Sequence, residues 1–367
     1  MNRKQVVVIG AGLAGLYAAH ALHSSGVNVL VVEARDRIGG RILTSDETGQ
    51  PTDDGFDLGP SWYWPQMQPV MEELVAELGL QSFYQNGVGD VVFERMSREQ
   101  PRRYSQAMDS QHSMRLCGGT TSAVRALAKK LPGDALRLQT TVTAIALRDA
   151  DVELILQTAD GKEEMLMADR VIAALPPRLL EATVKFSPPQ HPAMAARWRA
   201  TSTWMAPHAK FFAIYDRPFW REDGLSGTAQ SMVGPLVEIH DATTASGKAA
   251  LFGFLGVEAS QRQTLGDEIV KQACLAQLGR LFGPDAATAR AAILKDWARD
   301  PLTATAADLS DGPHPQPGSP VWVSEAWRGR LLLAGSETSP SEPGYLAGAV
   351  TAARLAAETI LSHTDIR

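Results

Sequence analysis

The run VEARDRIGGRI, from Val32 to Ile42, sets an acid at the end of an apolar stretch and follows it with three arginines and a glycine pair. Upstream, GAGLAG places Gly10, Ala11, Gly12, Leu13, Ala14 and Gly15 between an apolar run, QVVVI, and the small-residue segment LYAAHAL. In that setting the GxGxxG spacing lets backbone approach a pyrophosphate at the positive end of a helix dipole. Glu33 follows about 20 residues on, where a carboxylate bonds a ribose hydroxyl pair and repels a 2′-phosphate. The chemistry indicated is dinucleotide binding, with NADP disfavoured. Arg35, Arg37 and Arg41 come directly after this acid, and Gly39-Gly40 folds the chain back. At least one guanidinium can then meet a buried pyrophosphate or line another part of the dinucleotide site. The return to apolar Ile42 argues against the alternative of a solvated surface turn.

A second candidate is Lys210, in HAKFFAIYDRPFW. Flanked by Ala209, Phe211 and Phe212, it is an odd residue for a strand facing a core, because a buried ammonium needs partners. The alternative is that strand alternation turns it to solvent. His208, two residues earlier, reads as a structural histidine.

These residues need a scaffold. QVVVIGAGLAGLYAAHAL and VNVLVVEA give strand, turn, helix and strand, a βαβ opening with parallel strands. A helix is expected near 68–80, loops from Gln85 to Asp90 and from Ser97 to Gln111, and a helix within LCGGTTSAVRALAKKLPG. Alternating runs follow (LRLQTTVTAIALR, VELILQT, RVIAALPP), then AKFFAIYDRPFW, SMVGPLVEI and AALFGFLG as further strands. GDEIVKQACLAQLGRLFG reads as a helix, SDGPHPQPGSP as a crossing, and the last segment as strand, glycine loop and helix.

The 367 residues, 44% apolar and 21% charged, allow two domains with a sizeable core. A net charge of −6 and a pI near 5.8 argue against a nucleic-acid surface. Cys117 and Cys274 are the only cysteines, without metal-ligand spacing, so neither a disulfide framework nor a zinc site is indicated. The first strand begins too early for a signal segment, and no apolar run reaches membrane-span length, so a cytoplasmic protein without a membrane span is expected.

With these motifs in hand, the chain resembles the flavin-containing amine oxidases related to monoamine and polyamine oxidases. The resemblance rests on VVVIGAGLAGLYAA, VVEARDRIGGRI, FDLGPSW, CGGTTSAVRALAKKL, TTVTAI, VIAALPP, AKFFAIYDRPFW, DWARDPLT and LLLAGSETSPSEPGYLAGAVTAARLAAE, in family order. It implies an α/β fold: a Rossmann-like, glutathione-reductase-like FAD domain from 1–66, 112–188 and 299–367. A smaller α+β substrate domain would come from 67–111 and 189–298. It implies that Glu33 binds the adenosine ribose, that Arg35 and Arg41 lie along the FAD phosphates, and that Val142 touches the adenine through its backbone. Ala34, Gly40, Gly335 and Glu337 would join this cofactor set, Glu337 at the ribityl chain or phosphates. Gly59, Pro60 and Ser61 would pass close to the isoalloxazine, with Trp297 packing nearby. Gly344, Tyr345 and Leu346 would close the substrate side, the helix from Leu346 pointing its N-terminus at the flavin. Lys210 would hold a water against flavin N5, making Lys210 and Tyr345 the catalytic pair.

The sequence also departs from the family. Where the covalent members attach FAD through a cysteine, this chain reads PLTATAAD, so FAD is expected to be non-covalent. The second aromatic of the usual substrate-sandwiching pair aligns best with Ala306, leaving Tyr345 alone; Trp62, Trp64, the intervening Tyr63 and Trp204 are candidates for the missing wall. The 64–118 region is short, suggesting an open pocket or one closed by a partner chain, and a homodimer is compatible with it. The expected activity is FAD-dependent oxidation of a primary or secondary amine, with molecular oxygen as co-substrate. The alternatives are a renalase-like or desaturase-like oxidoreductase of a non-amine, or a flavin-binding subunit with little turnover.

Overall fold

The computed structural model describes residues 3–105, 113–310, 312 and 314–362. Two large sheets organise them. The first runs, edge to edge, Lys185–Ser187, Thr140–Arg148, Asp151–Thr158, Glu163–Ala173, Arg3–Ile9, Val29–Val32 and Leu136–Arg137, with Leu331–Leu333 also pairing with Glu163–Ala173. Arg3–Ile9 pairs in parallel with both Val29–Val32 and Glu163–Ala173, as the opening βαβ pattern predicts. Both faces of Val29–Val32 are buried, which explains its unbroken apolar run.

One face of this sheet is covered by the helices Leu13–Ser24, Thr121–Lys129 and Leu346–Ser362. Their small residues Ala18, Ala19, Ala123, Val350, Ala353 and Ala357 share one buried core. The other face packs on Leu180, Trp198 and Trp327. A Cβ on Gly15 would stand 1.9 Å from the carbonyl oxygen of Gly10, so the helix lies on the turn at a distance only glycine permits. Gly10 itself has φ +100°, a left-handed conformation that the turn requires.

The second sheet runs Ala291–Asp296, Ala209–Tyr215, Ala249–Leu255, Leu236–Asp241, Leu225–Ser231, Asp90–Glu94 and Arg102–Tyr104. Asp267–Phe282 packs on one side of it through Val270, Cys274, Leu278 and Phe282. The other side, carrying Phe212, Phe252 and Ile293, meets Leu43, Phe56, Leu58 and Trp297. The loop expected between Ser97 and Gln111 is partly a strand: Arg102–Tyr104 pairs antiparallel with Asp90–Glu94. It is short, exposed and carries two arginines, features that hide an edge strand from a hydrophobicity pattern. Residues 106–112 of that expected loop lie outside the described residues.

Gly15→Ala is expected to destabilise the protein by about 1–3 kcal/mol, because the helix must back away from the turn. A fall in Tm checks this; an unchanged Tm would mean the helix is free to shift.

Candidate active site

A cavity of about 720 Å³ opens between the two sheets, within the size range of cofactor and substrate sites. At one end it is lined by Gly10, Gly12, Leu13 and Ala14 of the glycine turn. The N-terminus of Leu13–Ser24 has no side-chain cap, so the turn presents backbone and the positive end of the helix dipole to the cavity. A Cβ at Gly12 would meet only the Gly39 oxygen, at 3.7 Å, leaving the approach open. Glu33 is buried, and its carboxylate accepts from Ala11 N (2.7 Å) and Arg35 N (2.9 Å). It thereby ties the glycine turn to the arginine loop while still lining the cavity.

The three arginines divide their work. Arg37 donates to the carbonyl oxygens of Ile38, Gly40 and Ile42 and clamps the GGRI turn from behind. Arg35 donates through Nη1 to both carboxylate oxygens of Asp300 (3.0 and 2.9 Å) and through Nη2 to Thr303 Oγ1, pinning the loop to the stretch 300–303. Arg41 pairs with Glu337 at 2.6 Å and with Ser336 Oγ at 3.0 Å, and remains partly open to the cavity. Glu337 is fully buried behind Arg41 and is not part of the lining. Ala11, Gly15 and Ala34 likewise lie beneath the surface, while Gly40, Gly335, Gly344 and Leu346 line it. Val142 is absent from the lining; its side chain sits in the core behind the first sheet and its backbone carries the ladder to Leu156. These arrangements put an uncapped helix N-terminus, the Glu33 carboxylate and the partly exposed Arg41 guanidinium along one wall, which fits a dinucleotide cofactor.

Further in, Lys210 is buried, as are all seven residues of its strand, so alternation does not turn it to solvent. Its Nζ donates to the carbonyl oxygens of Gly59 (2.6 Å) and Asp57 (3.3 Å) and lies 3.0 Å from Ser61 Oγ. Phe252 and Phe254 stand 4.6 and 5.2 Å from it. Burial draws the ammonium down from its ordinary value to about 7, with the Asp57 carboxylate opposing that shift and Arg115 adding to it. Two carbonyls and a hydroxyl satisfy either protonation state, since Ser61 can accept or donate.

Asp57 was not a candidate from sequence, yet the Lys210 bracket rests on it. Its Oδ1 accepts from Thr44 Oγ1 (2.7 Å), Thr120 N (2.8 Å) and Thr120 Oγ1 (2.9 Å). Burial pushes this carboxyl up, against those hydrogen bonds and the buried Arg115 guanidinium. The signal available was an acid inside the apolar run FDLGP. Gly59 takes its place because a Cβ there would lie 1.9 Å from the Arg41 oxygen. Trp297 fixes the same loop from the other side, donating Nε1 to the Leu58 oxygen at 2.9 Å.

Tyr345 lies at the mouth with Trp204 (ring centroids 4.7 Å, 63°), Trp64 (6.4 Å, 86°) and His314 (5.3 Å, 42°) around it. Ala306 is exposed on a short 3-10 turn outside the lining, so the aligned position does not hold the second wall. Trp204 takes the ring contact instead. Gly344, at φ +87°, permits it, since a Cβ would stand 3.0 Å from the Trp204 ring. Trp62 faces the Lys210 end, its ring against His240 and Phe252. Tyr63 is buried and bonds Glu72, outside the lining. His208 lines the cavity just before the Lys210 strand. Cys117 and Cys274 are free thiols, and neither lines it.

A βαβ glycine turn on one sheet and a buried lysine on a second, mixed sheet face one cavity, the architecture of a flavin oxidoreductase, and comparison with known proteins agrees. Residues 100–361 match the model of the flavin containing amine oxidoreductases, and residues 8–78 that of the NAD(P)-binding Rossmann-like domain. The chain therefore belongs to the flavin-containing amine oxidoreductase family and is a flavin-dependent oxidoreductase. It is 24% identical to the flavin-containing amine oxidase B of Homo sapiens, over 98% of this chain and 86% of that protein. The same enzyme of Sus scrofa is also 24% identical, with the same coverage. Among solved structures, a putrescine oxidase bound to putrescine superposes with a TM-score of 0.79, covering 98% of this chain and 99% of that one at 22% identity. Cyclohexylamine oxidase from Brevibacterium oxydans gives 0.78 at 21% identity, again over 98% and 99%. At these identities the likeness shows a shared fold. No helix among the described residues is long and apolar enough to cross a membrane.

The Lys210 site has a signature in stability. Between about pH 7 and the ordinary lysine value of 10.5, the unfolded chain binds a proton at Lys210 that the folded chain does not. Stability rises with pH wherever the unfolded state holds more protons. The Tm of the wild type is therefore expected to climb relative to Lys210→Met from pH 7 upward, with no such divergence below it. Parallel profiles throughout would mean that the folded protein keeps the ammonium charged.

Proposed function

We propose that the protein is an FAD-dependent amine oxidase that converts a primary or secondary amine to its imine, with oxygen reduced to peroxide. The observation carrying this is the single cavity that runs from the uncapped glycine turn to Lys210 and the Tyr345 aromatic cluster. When bound, FAD would supply the electron chemistry, as acceptor of the amine's hydride and donor of electrons to oxygen. Binding would be non-covalent, a reading supported by the cavity lining, which contains no cysteine.

The chain's own residues would do the rest. The glycine turn and the N-terminus of Leu13–Ser24 hold the pyrophosphate, Glu33 the adenosine ribose, and Arg41 a phosphate oxygen. Glu337 acts through Arg41, holding its guanidinium in one orientation. Arg35 acts through the loop it pins to Asp300. Gly59, Pro60 and Ser61 line the cavity beside Lys210 Nζ and would hold the reacting end of the flavin there. Tyr345, Trp204 and Trp64 flank the amine's entry and exclude water. A desolvated site favours the uncharged amine, so no strong protein base is required. Lys210 Nζ, bracketed by Gly59 O and Ser61 Oγ, would hold a water and assist reoxidation. Segments 1–66, 112–188 and 299–367 would form the cofactor domain, and 67–111 with 189–298 the substrate domain.

Anaerobic titration of the FAD-loaded protein with amines, following flavin absorbance, is expected to bleach the cofactor with at least one amine class. Bound FAD that dithionite reduces but no amine does would instead support the non-amine oxidoreductase or the non-catalytic subunit. Lys210→Met is expected to retain FAD while slowing reoxidation of the reduced enzyme by oxygen. Unchanged oxygen kinetics would remove the role assigned to Lys210.

A further inference from the structure

The hydrogen bonds around Lys210 fit an amine and an ammonium equally, so the charges near it decide which form it takes. Asp57 and Arg115 both act on it, and both are buried. Arg115 belongs to the strand Met114–Leu116, and Thr120, shortly after that strand, supplies two of the donors to Asp57 Oδ1. Among the described residues the Arg115 guanidinium bonds no carboxylate. Nη1 donates to the Thr243 oxygen at 2.9 Å and Nη2 to the Ala242 oxygen at 3.2 Å, with the Phe83 ring 5.1 Å away. Beyond it Asp241, fully buried, accepts from Arg221 Nε at 2.7 Å, Trp220 Nε1 at 2.8 Å and Thr243 N at 2.7 Å. Arg221 ends the row at the surface.

Arg221, Asp241, Arg115, Asp57 and Lys210 thus form a row of alternating sign, coupled through space. The donors on Asp57 Oδ1 favour its ionised form against burial. Two guanidiniums and two carboxylates then cancel before the lysine is counted. A guanidinium does not give up its proton in a protein, so the lysine is the member that yields. Other charges near it are answered elsewhere. Lys295, opposite Lys210 on the neighbouring strand, has its Nζ 3.7 Å from Asp300, and Asp296 is bonded to Arg262. Glu238 and His240, on the strand beyond Phe254, bond each other at 2.6 Å. His208 lines the cavity just before the lysine's own strand.

We propose that Arg115 is a positioning residue of the oxidation site: by answering the charge of Asp57 it keeps Lys210 Nζ a free amine in the resting enzyme. This rests on the reading that places Lys210 beside the flavin. Nζ then donates its two hydrogens to the Gly59 and Asp57 oxygens and turns its lone pair to the Ser61 hydroxyl or to a water. Without Arg115, the lysine alone is left to answer Asp57, and the ammonium form is held.

The test uses FAD-loaded protein and two readouts across pH. The first is Tm relative to the same background carrying Lys210→Met, a difference expected to open from about pH 7 in the wild type. In Arg115→Met the opening is expected to move up by about one pH unit or more, the scale of an opposite charge left unshared within a few ångströms. Asp57→Asn should move it down, and Arg115→Lys should restore the wild-type position. Arg221→Gln, at the exposed end of the row, frees Asp241 for Arg115 and should move it up by a smaller step, which keeps the test in force if the buried variants do not fold. The second readout is the pH profile for reoxidation of the dithionite-reduced flavin by oxygen, whose midpoint should move with the first. An opening at one unchanged pH in every variant that folds would overturn the proposal, as would a wild-type opening only near 10.5, the ordinary lysine value. An opening that moves while the oxygen profile stays put upholds the charge assignment and removes instead the role of Lys210 in reoxidation.

Discussion

The site depends on how one amino group is kept in an apolar sheet. Lys210 Nζ is held by the loop 57–61, through two carbonyl oxygens and a hydroxyl, and not by a carboxylate. A direct ion pair would fix the ammonium as charged, whereas neutral acceptors leave it able to gain or lose a proton near neutrality. Backbone acceptors have a structural cost: the loop itself must be immobile. The chain meets this from several directions. The Asp57 side chain ties the loop to Thr44 and Thr120, Trp297 bonds the Leu58 oxygen, and Gly59 sits against the Arg41 backbone. The loop is thereby fastened from several sides, and the cavity lies along it.

The cavity's guanidiniums follow a similar logic. Arg35, Arg41 and Arg262 each answer a carboxylate, in Asp300, Glu337 and Asp296. Buried or half-buried pairs of this kind contribute little net stability once desolvation is counted. Their effect is positional: each joins segments far apart in the chain, and Arg41 keeps the most exposure of the three. At the opposite end the lining carries Glu258 and Glu238, the latter bonded to His240.

The aromatic mouth shows how a wall can be rebuilt from another part of the chain. With an exposed alanine at the aligned position, Tyr345 gains Trp204, Trp64 and His314 as neighbours. The rings meet mostly edge to face, an arrangement favoured by their quadrupoles. They do not form a parallel pair, and the positive φ of Gly344 makes the contact with Trp204 possible.

The amino-acid sequence by itself determined the parts whose causes are local. The glycine turn, Glu33 and the GGRI loop were legible because glycine spacing, strand periodicity and a terminal acid each constrain a few neighbouring residues. Lys210 was conspicuous because an ammonium among apolar neighbours must find acceptors. Tertiary structure decided everything that needed distant segments. That Arg35 meets Asp300, that Glu337 stands behind Arg41, that Asp57 anchors the lysine's loop and that Trp204 replaces a missing ring are contacts across tens to hundreds of residues. The register that sets Lys210 beside Phe254 and Lys295 was equally hidden, because strand register is set by the packing of whole sheets and leaves no spacing to read along the chain.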